Sequence, residues 1–380
     1  MPYFLIILLL CFITLYEFLD IKPDGFLIKK NSITYFYLMC AVLLWLIAAL
    51  RFETGRDWQG YIDFFERCDR LTTSYGFEPG FVKLNQFFKG LGLGFYGLQF
   101  FISSFCALIV FRNIQRTSEC PSFTLLLYVL MFYFATDMAQ TRQHIAMAIL
   151  ILGGRAVRER KLLLWILIVA LAMMFHVTAI TAFPLYFTGR IQIGRRFVWV
   201  LFAVYIILYL FGLSFVRKGL EMVLKLPFVP ARIGVIGNAY LNSKIYGQQG
   251  EFNSGLGFLA NTFFNGLIVY FSTRKENSDR RMWLANYFIG LYFMAFGRNF
   301  DQFARIANYY YICGNGLCAY NLLLKSKGFF RKVDFMRYFM CFMFLALQFY
   351  SFVGKWYLYD KLTHTSYHLD YTPYRAFIFE

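Results

Sequence analysis

The sequence predicts an all-α protein, a polytopic transmembrane helical bundle of about 11–12 membrane segments. Hydrophobic residues make up 59% of its 380 residues and charged residues only 16%, whereas about a quarter of a soluble domain is charged. The apolar residues form many runs of near-spanning length. Lys and Arg lie mostly in short stretches between those runs, as the positive-inside rule describes.

The apolar runs and their flanks predict helices at 4–18, 33–50, 95–111, 123–136, 143–153, 162–174, 177–187, 198–215, 256–272, 283–296, 304–324 and 339–353. No basic residue precedes the first run and no small-residue cleavage site follows it, so we expect a retained span rather than a signal peptide. Segment 162–187 could be one long helix or two short ones bent at His176. Pro184 weakens a helix there because it removes a backbone donor.

The net charge of +17 is also distributed as in a membrane protein, so we expect no nucleic-acid partner. If all the basic groups between the runs face the cytoplasm, segment 162–187 crosses twice and both termini lie outside. We favour this two-helix interpretation. The groups are Lys22, Lys29 and Lys30; Arg112 and Arg116; Arg155, Arg158, Arg160 and Lys161; Arg190, Arg195 and Arg196; Arg274, Lys275, Arg280 and Arg281; and Lys325, Lys327, Arg331, Lys332 and Arg337.

In this topology the chain 1–380 is a single membrane domain with its long polar segments, 51–94, 217–255 and the tail 354–380, on the outer face. The turns at 137–142, at His176 and at 297–305 lie on the same face, so the unusual polar residues converge there. Tyr61, Phe64, Phe65 and Cys68 recur at helical spacing and predict an amphipathic helix at the membrane surface, packed against the bundle. The Gly-rich stretch 246–250 is interpreted as a mobile lid.

Two carboxylates of the first outer segment are candidate catalytic residues. Asp57 or Glu78 could accept a proton from a hydroxyl, as a carboxylate of suitable pKa does in general base catalysis. Structural roles compete with this interpretation. Asp57 could pair with Arg51 or Arg56, and the Glu78-Pro-Gly turn could simply cap a helix.

Candidate substrate-binding residues are Arg51, Arg142, Gln143, His176, Arg305 and Tyr309. A guanidinium offers a planar fork of donors that fits phosphate oxygens, and a suitably protonated histidine also donates to oxyanions. The alternatives are snorkelling of the arginines to the lipid headgroups and a structural, hydrogen-bonded histidine.

Metal and cofactor sites are not predicted. The eight cysteines and four histidines form no Cys-x-x-Cys or His-Glu-x-x-His pattern, and there is no Asp-x-Asp. We interpret the cysteines as small apolar residues.

These residues, taken in order, resemble the EpsG family of Wzy-like polysaccharide polymerases, and the resemblance spans essentially the whole chain. The matching pieces are Arg51…Gly55-Arg56-Asp57…Tyr61, Glu78-Pro79-Gly80-Phe81, Arg142-Gln143 before an Ala/Ile-rich run, Phe175-His176-Val177-Thr178-Ala179-Ile180, Arg305-Ile306 with the following tyrosines, and Tyr371-Thr372-Pro373-Tyr374.

The resemblance implies a metal-independent, glycosyltransferase-C-like polymerase in the bacterial inner membrane. Its substrate would be an oligosaccharide repeat unit of O-antigen, capsule or exopolysaccharide, carried on undecaprenyl pyrophosphate and joined at the outer face. Membrane lipids and a chain-length regulator are the further partners it suggests. It implies Arg142, His176, Arg305 and Arg51 as pyrophosphate ligands and Asp57 or Glu78 as the base.

Three other functions compete with this one. A lipid-linked oligosaccharide flippase or other transporter would also need a cationic cavity, but its charges would serve both membrane faces. A membrane acyltransferase would need a catalytic histidine, for which only His176 is a candidate. An O-antigen ligase would use the same donor, and the residues do not separate it from a polymerase.

Overall fold

The computed structural model describes residues 2–19, 30–55, 57–70, 76–189, 191–224, 256–274, 283–297, 301–325, 334–353 and 374–379. These ranges are almost entirely helical and contain no β-strand; a single isolated antiparallel bridge joins Arg51 to Ala376. The predicted all-α class is therefore confirmed.

The α-helices in chain order are α1 (Pro2–Leu19), α2 (Lys30–Leu50), α3 (Trp58–Arg67), α4 (Pro79–Gly90), α5 (Gly94–Thr117), α6 (Pro121–Tyr128), α7 (Phe134–Thr136), α8 (Thr141–Leu152), α9 (Gly154–Arg158), α10 (Leu162–Met173), α11 (Leu185–Thr188), α12 (Arg195–Leu224), α13 (Leu256–Ser272), α14 (Leu284–Gly297), α15 (Asp301–Asn308), α16 (Asn321–Lys325) and α17 (Asp334–Val353). A π-helical segment, Val129–Tyr133, joins α6 to α7. Most of these helices are strongly apolar.

The chain divides into two compact units, and each is described by itself. The first comprises Met1–Phe183 and Gly328–Glu380, and the second comprises Pro184–Lys327.

Helix α5 is the centre of the first unit, where α2, α4, α6 and α8 pack against it. One face of α5 is buried and includes Ile102 and Cys106, while Phe101 and Leu108 on another face are exposed. Of the described helices, only Gly94–Thr117 is both long and apolar enough by composition to cross a membrane, and several shorter apolar helices accompany it. Outward apolar side chains of this kind are suited to lipid contact.

The amphipathic helix predicted in the first outer segment is confirmed as α3. Its stripe residues Tyr61, Phe64, Phe65 and Cys68 are buried in a core that also contains Phe81 of α4. The core continues into α5 and α8. This packing holds α3 and α4 against α5 and α8.

Segment 162–187 is broken, as the two-helix interpretation expects. Helix α10 ends at Met173, His176 is extended (φ −155°, ψ 116°), and a 3₁₀ helix follows over Val177–Ala182. This 3₁₀ helix packs on α10, and Trp165 Nε1 donates to the carbonyl of Phe183 at 3.1 Å. The chain therefore turns back at His176, which places that residue at the end of a hairpin.

In the second unit, α12 packs against α13 and α14. Asn286 of α14 accepts from Thr188 Oγ1 at 2.6 Å and donates to the carbonyl of Gly314 at 2.8 Å. Tyr287 donates to Asn265 Oδ1 of α13 at 2.6 Å. These buried polar contacts fix the helices where apolar packing alone is non-directional.

Two sequence predictions need correction in this unit. Helix α12 continues to Leu224, because the apolar pattern persists into the segment 217–255 that was predicted as a loop. The rest of that segment, including the predicted lid at 246–250, lies outside the described residues. The run 304–324 is not one helix. It comprises α15, a π-helical turn over Tyr309–Cys313, a 3₁₀ helix over Gly316–Tyr320 and α16; the interruption coincides with Asn315, whose φ is +56°.

Candidate functional site

Glu78 occupies the N-cap position of α4, directly before Pro79 at the first helical position. Proline is favoured there because its missing N–H would have no helical partner. The Glu78 carboxylate makes no capping hydrogen bond to α4. Its backbone therefore starts the helix while its side chain is available for other contacts, so the turn is both a helix start and a polar site.

The Glu78 carboxylate binds two separate parts of the chain. Arg142 Nη1, in the first turn of α8, donates to Oε2 at 2.6 Å. His176 Nδ1 lies 3.2 Å from Oε1, and the backbone N–H of Val177 donates to the same oxygen at 3.1 Å. We call Glu78, Arg142 and His176 the Glu78 cluster.

A glycine permits the close approach that forms the cluster. The Gly80 N–H donates to the carbonyl of Met174 at 2.8 Å. A Cβ at Gly80 would lie 2.7 Å from that carbonyl oxygen, which is closer than van der Waals contact allows. Gly80 thus lets the start of α4 lie against the end of α10, beside His176.

Gly55 has a similar role on the other side of α8. Its φ is +109°, and a Cβ there would lie 2.1 Å from the carbonyl oxygen of Met138. Only glycine adopts this conformation readily. The turn that leads from α2 towards Asp57 therefore packs directly on the turn that leads into α8.

Aromatic side chains surround the charged groups. The Arg142 guanidinium lies 4.6 Å from the ring centroid of Phe77, and the rings of Phe64 and Phe77 are 4.2 Å apart. Tyr61 is buried, its ring centroid lies 6.3 Å from that of Phe77, and its backbone N–H donates to the carbonyl of Asp57 at 3.1 Å. Asp57 and Glu78 thus both border one aromatic-lined region, in which Arg142 is the cation paired with Glu78.

The cluster is largely shielded from water. The side chains of Glu78, Arg142 and His176 are 13%, 22% and 11% exposed. Burial by itself would raise the pKa of Glu78, but the hydrogen bond with His176, the charge of Arg142 and the Val177 N–H together lower that pKa to about 2. While these contacts persist, Glu78 is ionised at neutral pH and is a weak base.

Two nitrogens of the cluster remain unused. Arg142 Nε and His176 Nε2 are buried and have no hydrogen-bond partner among the described residues. Buried polar atoms are seldom left in this state. The cluster can therefore bind more polar atoms than Glu78 supplies.

A second polar network lies beneath the first turn of α8. Arg51, only 3% exposed, donates to the carbonyl of Ala48 at 2.5 Å and lies 3.5 Å from Thr141 Oγ1 and from Ser103 Oγ. Gln99 donates to the Arg51 carbonyl at 2.8 Å. Arg51 thus connects α2, α5 and α8 and supports the turn that carries Arg142.

Sequence reasoning did not include Asp137 and His144 among its candidate residues. Asp137 accepts hydrogen bonds from Tyr128 at 2.5 Å and Thr136 at 2.9 Å, and His144 Nε2 lies 3.8 Å from its other oxygen. Both residues are buried. The available signal was a carboxylate and a histidine seven positions apart at the edge of apolar runs.

The comparison with known protein families decides the classification. The model of the EpsG family matches residues 33–362, which is most of the chain. The chain belongs to the EpsG family. No curated protein and no solved structure matches it. Membership confirms the resemblance given by the motifs. It supports a membrane location and a Wzy-like polymerase type.

The candidate residues of this EpsG family member lie in three places. Glu78, Arg142 and His176 are together in the cluster, with Asp57 in the same aromatic-lined region, while Arg51 belongs to the buried network beneath it. Gln143 is buried in α8. Arg305 in α15 and buried Tyr309 belong to the second unit. The alternative partner of Asp57, Arg56, lies outside the described residues.

The described end of the tail is attached to the first unit. The Phe52 N–H donates to the Arg375 carbonyl at 3.0 Å, and Tyr374 donates to the carbonyl of Ile47 at 3.0 Å. Arg375 also forms an ion pair with Glu53 at 2.8 Å. These contacts hold the chain just after Arg51 in place. Positions 371–373 of the tail motif lie outside the described residues.

Metal-ligand groups are not present in the described ranges, where no three His, Cys, Asp or Glu side chains come together. All eight cysteines fall in those ranges, and none of them forms a disulfide bond there. The polar chemistry of the cluster is that of an anion site, because its donors are a guanidinium, an imidazole and a backbone N–H.

Proposed function

We propose that this EpsG family protein is a Wzy-type polymerase of the bacterial inner membrane. It joins oligosaccharide repeat units carried on undecaprenyl pyrophosphate into O-antigen, capsule or exopolysaccharide at the outer face. The observation that carries the proposal is the Glu78 cluster, in which an arginine and a histidine from different elements surround one anion. Family membership supplies the reaction type.

The proposed reaction breaks the bond between a sugar and its lipid pyrophosphate and forms a bond to a hydroxyl of another repeat unit. Its barrier falls when the charge of the leaving pyrophosphate is stabilised. Arg142 and His176 are proposed to bind that group, because guanidinium and imidazole donors fit oxyanions. Arg305 is proposed as a further pyrophosphate ligand. Arg51 is proposed to support the site from its buried network.

The acceptor hydroxyl must also lose a proton, and Asp57 or Glu78 is proposed to take it. Both carboxylates lie in the region lined by Tyr61 and Phe77. Aromatic rings of this kind suit the apolar faces of sugars. Tyr309 and Gln143 are proposed as further contacts with the oligosaccharide. Because Arg142 and His176 are proposed to donate hydrogen bonds to the leaving group, the proposed reaction needs no metal ion.

The proposed membrane arrangement is a multi-pass bundle of about 11–12 segments, similar to glycosyltransferases of the C type. The apolar outward side chains of α1, α5 and α10 support it, since such surfaces are stable in lipid. The basic groups between apolar runs support an outer-face site with both termini outside. A chain-length regulator is proposed as a partner.

The test is a strain in which the gene is deleted and the surface glycan is analysed by gel electrophoresis and mass spectrometry. A polymerase mutant should display glycan of one repeat unit only. Loss of all surface glycan with intact lipid-linked units inside the cell would instead indicate a flippase. Polymer that accumulates on the lipid carrier without transfer would indicate a ligase.

A further inference from the structure

We propose that the Glu78 carboxylate is a resident anion on the pyrophosphate-binding donors, that the lipid pyrophosphate displaces it, and that the displaced carboxylate then acts as the base. This inference rests on the proposed function and specifies how its site is regulated. It follows from the contacts of the Glu78 cluster.

Glu78 occupies the hydrogen-bond donors that an incoming phosphate needs. Its carboxylate oxygens are hydrogen-bonded to Arg142 Nη1, His176 Nδ1 and the Val177 N–H at 2.6, 3.2 and 3.1 Å. Carboxylate and phosphate oxygens bind to the same kind of donors. The pyrophosphate therefore cannot use these donors until Glu78 leaves them.

The Glu78 cluster has nitrogen atoms that Glu78 does not use. Arg142 Nε and His176 Nε2 are buried, and within the described residues they meet no hydrogen-bond partner. His176 as a whole is only 9% exposed. A pyrophosphate has more oxygens and more negative charge than one carboxylate, so its oxygens can also accept a hydrogen bond from Arg142 Nε–H.

Binding of pyrophosphate also changes the proton affinity of the Glu78 carboxylate. A pyrophosphate bound to Arg142 and His176 places like charge beside the carboxylate and removes the partners that stabilise its ionised form. Both changes increase the proton affinity of a carboxylate. Glu78 becomes a stronger base only when the donor substrate is bound, which would protect the site from abstracting protons without a substrate.

The proton and bond changes balance within the proposed reaction. The acceptor oxygen forms the new bond to the sugar carbon as the bond from that carbon to the pyrophosphate oxygen breaks. The hydroxyl proton passes to the Glu78 carboxylate. When pyrophosphate departs, Glu78 releases that proton to the leaving group or to water and returns to Arg142 and His176. The groups that face Glu78 in this cycle are Arg142 of α8, His176 and Val177 after α10, and Tyr61 of α3 beside Arg142.

The experiment compares binding and chemistry in purified full-length protein. Inorganic pyrophosphate is titrated by calorimetry at pH 7, and chain extension is measured with lipid-linked repeat units. Glu78→Gln keeps the shape but removes the competing charge, so we expect roughly tenfold or greater tightening of pyrophosphate binding. Chain extension by the same variant should fall about 10²–10⁴-fold, because the amide accepts no proton.

Glu78→Asp provides a second variant in case the amide disturbs folding. Its shorter side chain cannot hold both Arg142 and His176, so pyrophosphate should again bind more tightly than in wild type. Because a carboxylate is still present, extension should partly recover relative to Glu78→Gln. Glu66→Gln is the matched control, since the Glu66 side chain is exposed on α3 and Lys89 binds only its backbone carbonyl at 2.6 Å. It should change neither measurement.

Pyrophosphate affinity equal to or weaker than that of wild type in both Glu78 variants would overturn the inference, and so would full extension activity in Glu78→Gln. Neither result would bear on whether the protein is a polymerase. That question depends on the glycan of the deletion strain, so the two proposals fail separately.

Discussion

The Glu78 carboxylate lies 2.6 Å from Arg142 Nη1, although 64 positions separate the two residues in the chain. This contact connects the start of α4 with the first turn of α8. The hairpin end at His176 adds a third element, through contact with the other carboxylate oxygen. A polar site is thus assembled from three elements that are far apart in the chain.

The first prediction concerns the three residues proposed to bind the pyrophosphate. Arg142→Ala, His176→Ala and Arg305→Ala should abolish chain extension while leaving the protein in the membrane at normal abundance. Lys at positions 142 and 305 should restore little activity, since an ammonium lacks the planar two-pronged donor geometry. Surface glycan length and membrane immunoblots provide the measurements. Arg158→Ala is the control because Arg158 is exposed. Surface glycan of normal length in the Ala variants at 142 and 176 would indicate that these residues only anchor the helices.

The second prediction concerns the glycine at the start of α4. Gly80→Ala should destabilise the protein and reduce extension, because the new Cβ would lie 2.7 Å from the Met174 carbonyl oxygen and would displace Glu78 from His176. Gly60→Ala is a matched control in α3, where nothing lies within 4 Å of the added Cβ. Alanine there should be neutral or stabilise by about 0.5–1 kcal/mol. Thermal melts of the detergent-purified variants compare them, and equal melts for both substitutions would contradict the packing described here.

The third prediction concerns acid stability. The folded state lowers the pKa of Glu78 from the ordinary 4.5 to about 2, so the folded state binds a proton at this group less readily than the unfolded state. The resulting stabilisation, of the order of 3 kcal/mol, is present above about pH 4.5 and is lost as the pH falls towards 2. Wild-type melting temperature should therefore fall more steeply between these pH values than that of Glu78→Gln.

Glu66→Gln, which removes an exposed carboxylate on α3, should behave like wild type. Parallel curves for wild type and Glu78→Gln would show that the cluster adds no stability that depends on pH.

The fourth prediction concerns membrane topology. Both termini should lie outside, and the basic stretches at 155–161 and 274–281 should face the cytoplasm, since segment 162–187 turns back at His176. Labelling of a single introduced cysteine at exposed position 158, in a background without the native cysteines, tests this in whole cells. Accessibility of position 158 only from the exterior would refute the double crossing. A cysteine at exposed position 66 in α3 should label from outside.

The fifth prediction is that catalysis is independent of metal and requires a carboxylate of the first outer segment. Purified enzyme with lipid-linked repeat units should retain activity in EDTA. If Glu78 alone is the base, Asp57→Asn should reduce activity less than Glu78→Gln does. If Asp57→Asn instead reduces activity more than Glu78→Gln does, by about 10²–10⁴-fold, Asp57 is the base. Loss of wild-type activity on chelation, or full activity in both amide variants, would reject the mechanism.

The amino-acid sequence alone determined the helical class, the approximate bounds of most helices and the amphipathic character of α3. These features follow from local periodicity and hydrophobicity, which each segment carries in its own residues. The ordered motifs determined the family. The sequence also indicated the break at His176, because the basic groups could not share one side of the membrane otherwise.

Tertiary structure alone decided which polar groups meet. The sequence contained Glu78, Arg142 and His176 but no information on their pairing, since contacts between residues 64 or 98 positions apart depend on how the helices pack. It also decided that the Glu78 carboxylate is paired with Arg142 and His176, from which we propose that its action as a base depends on the substrate. The burial of Arg51 beneath α8 and the hydrogen bonds from Tyr128 and Thr136 to Asp137 have the same origin: a buried polar or charged group is stable only beside partners that the fold brings to it.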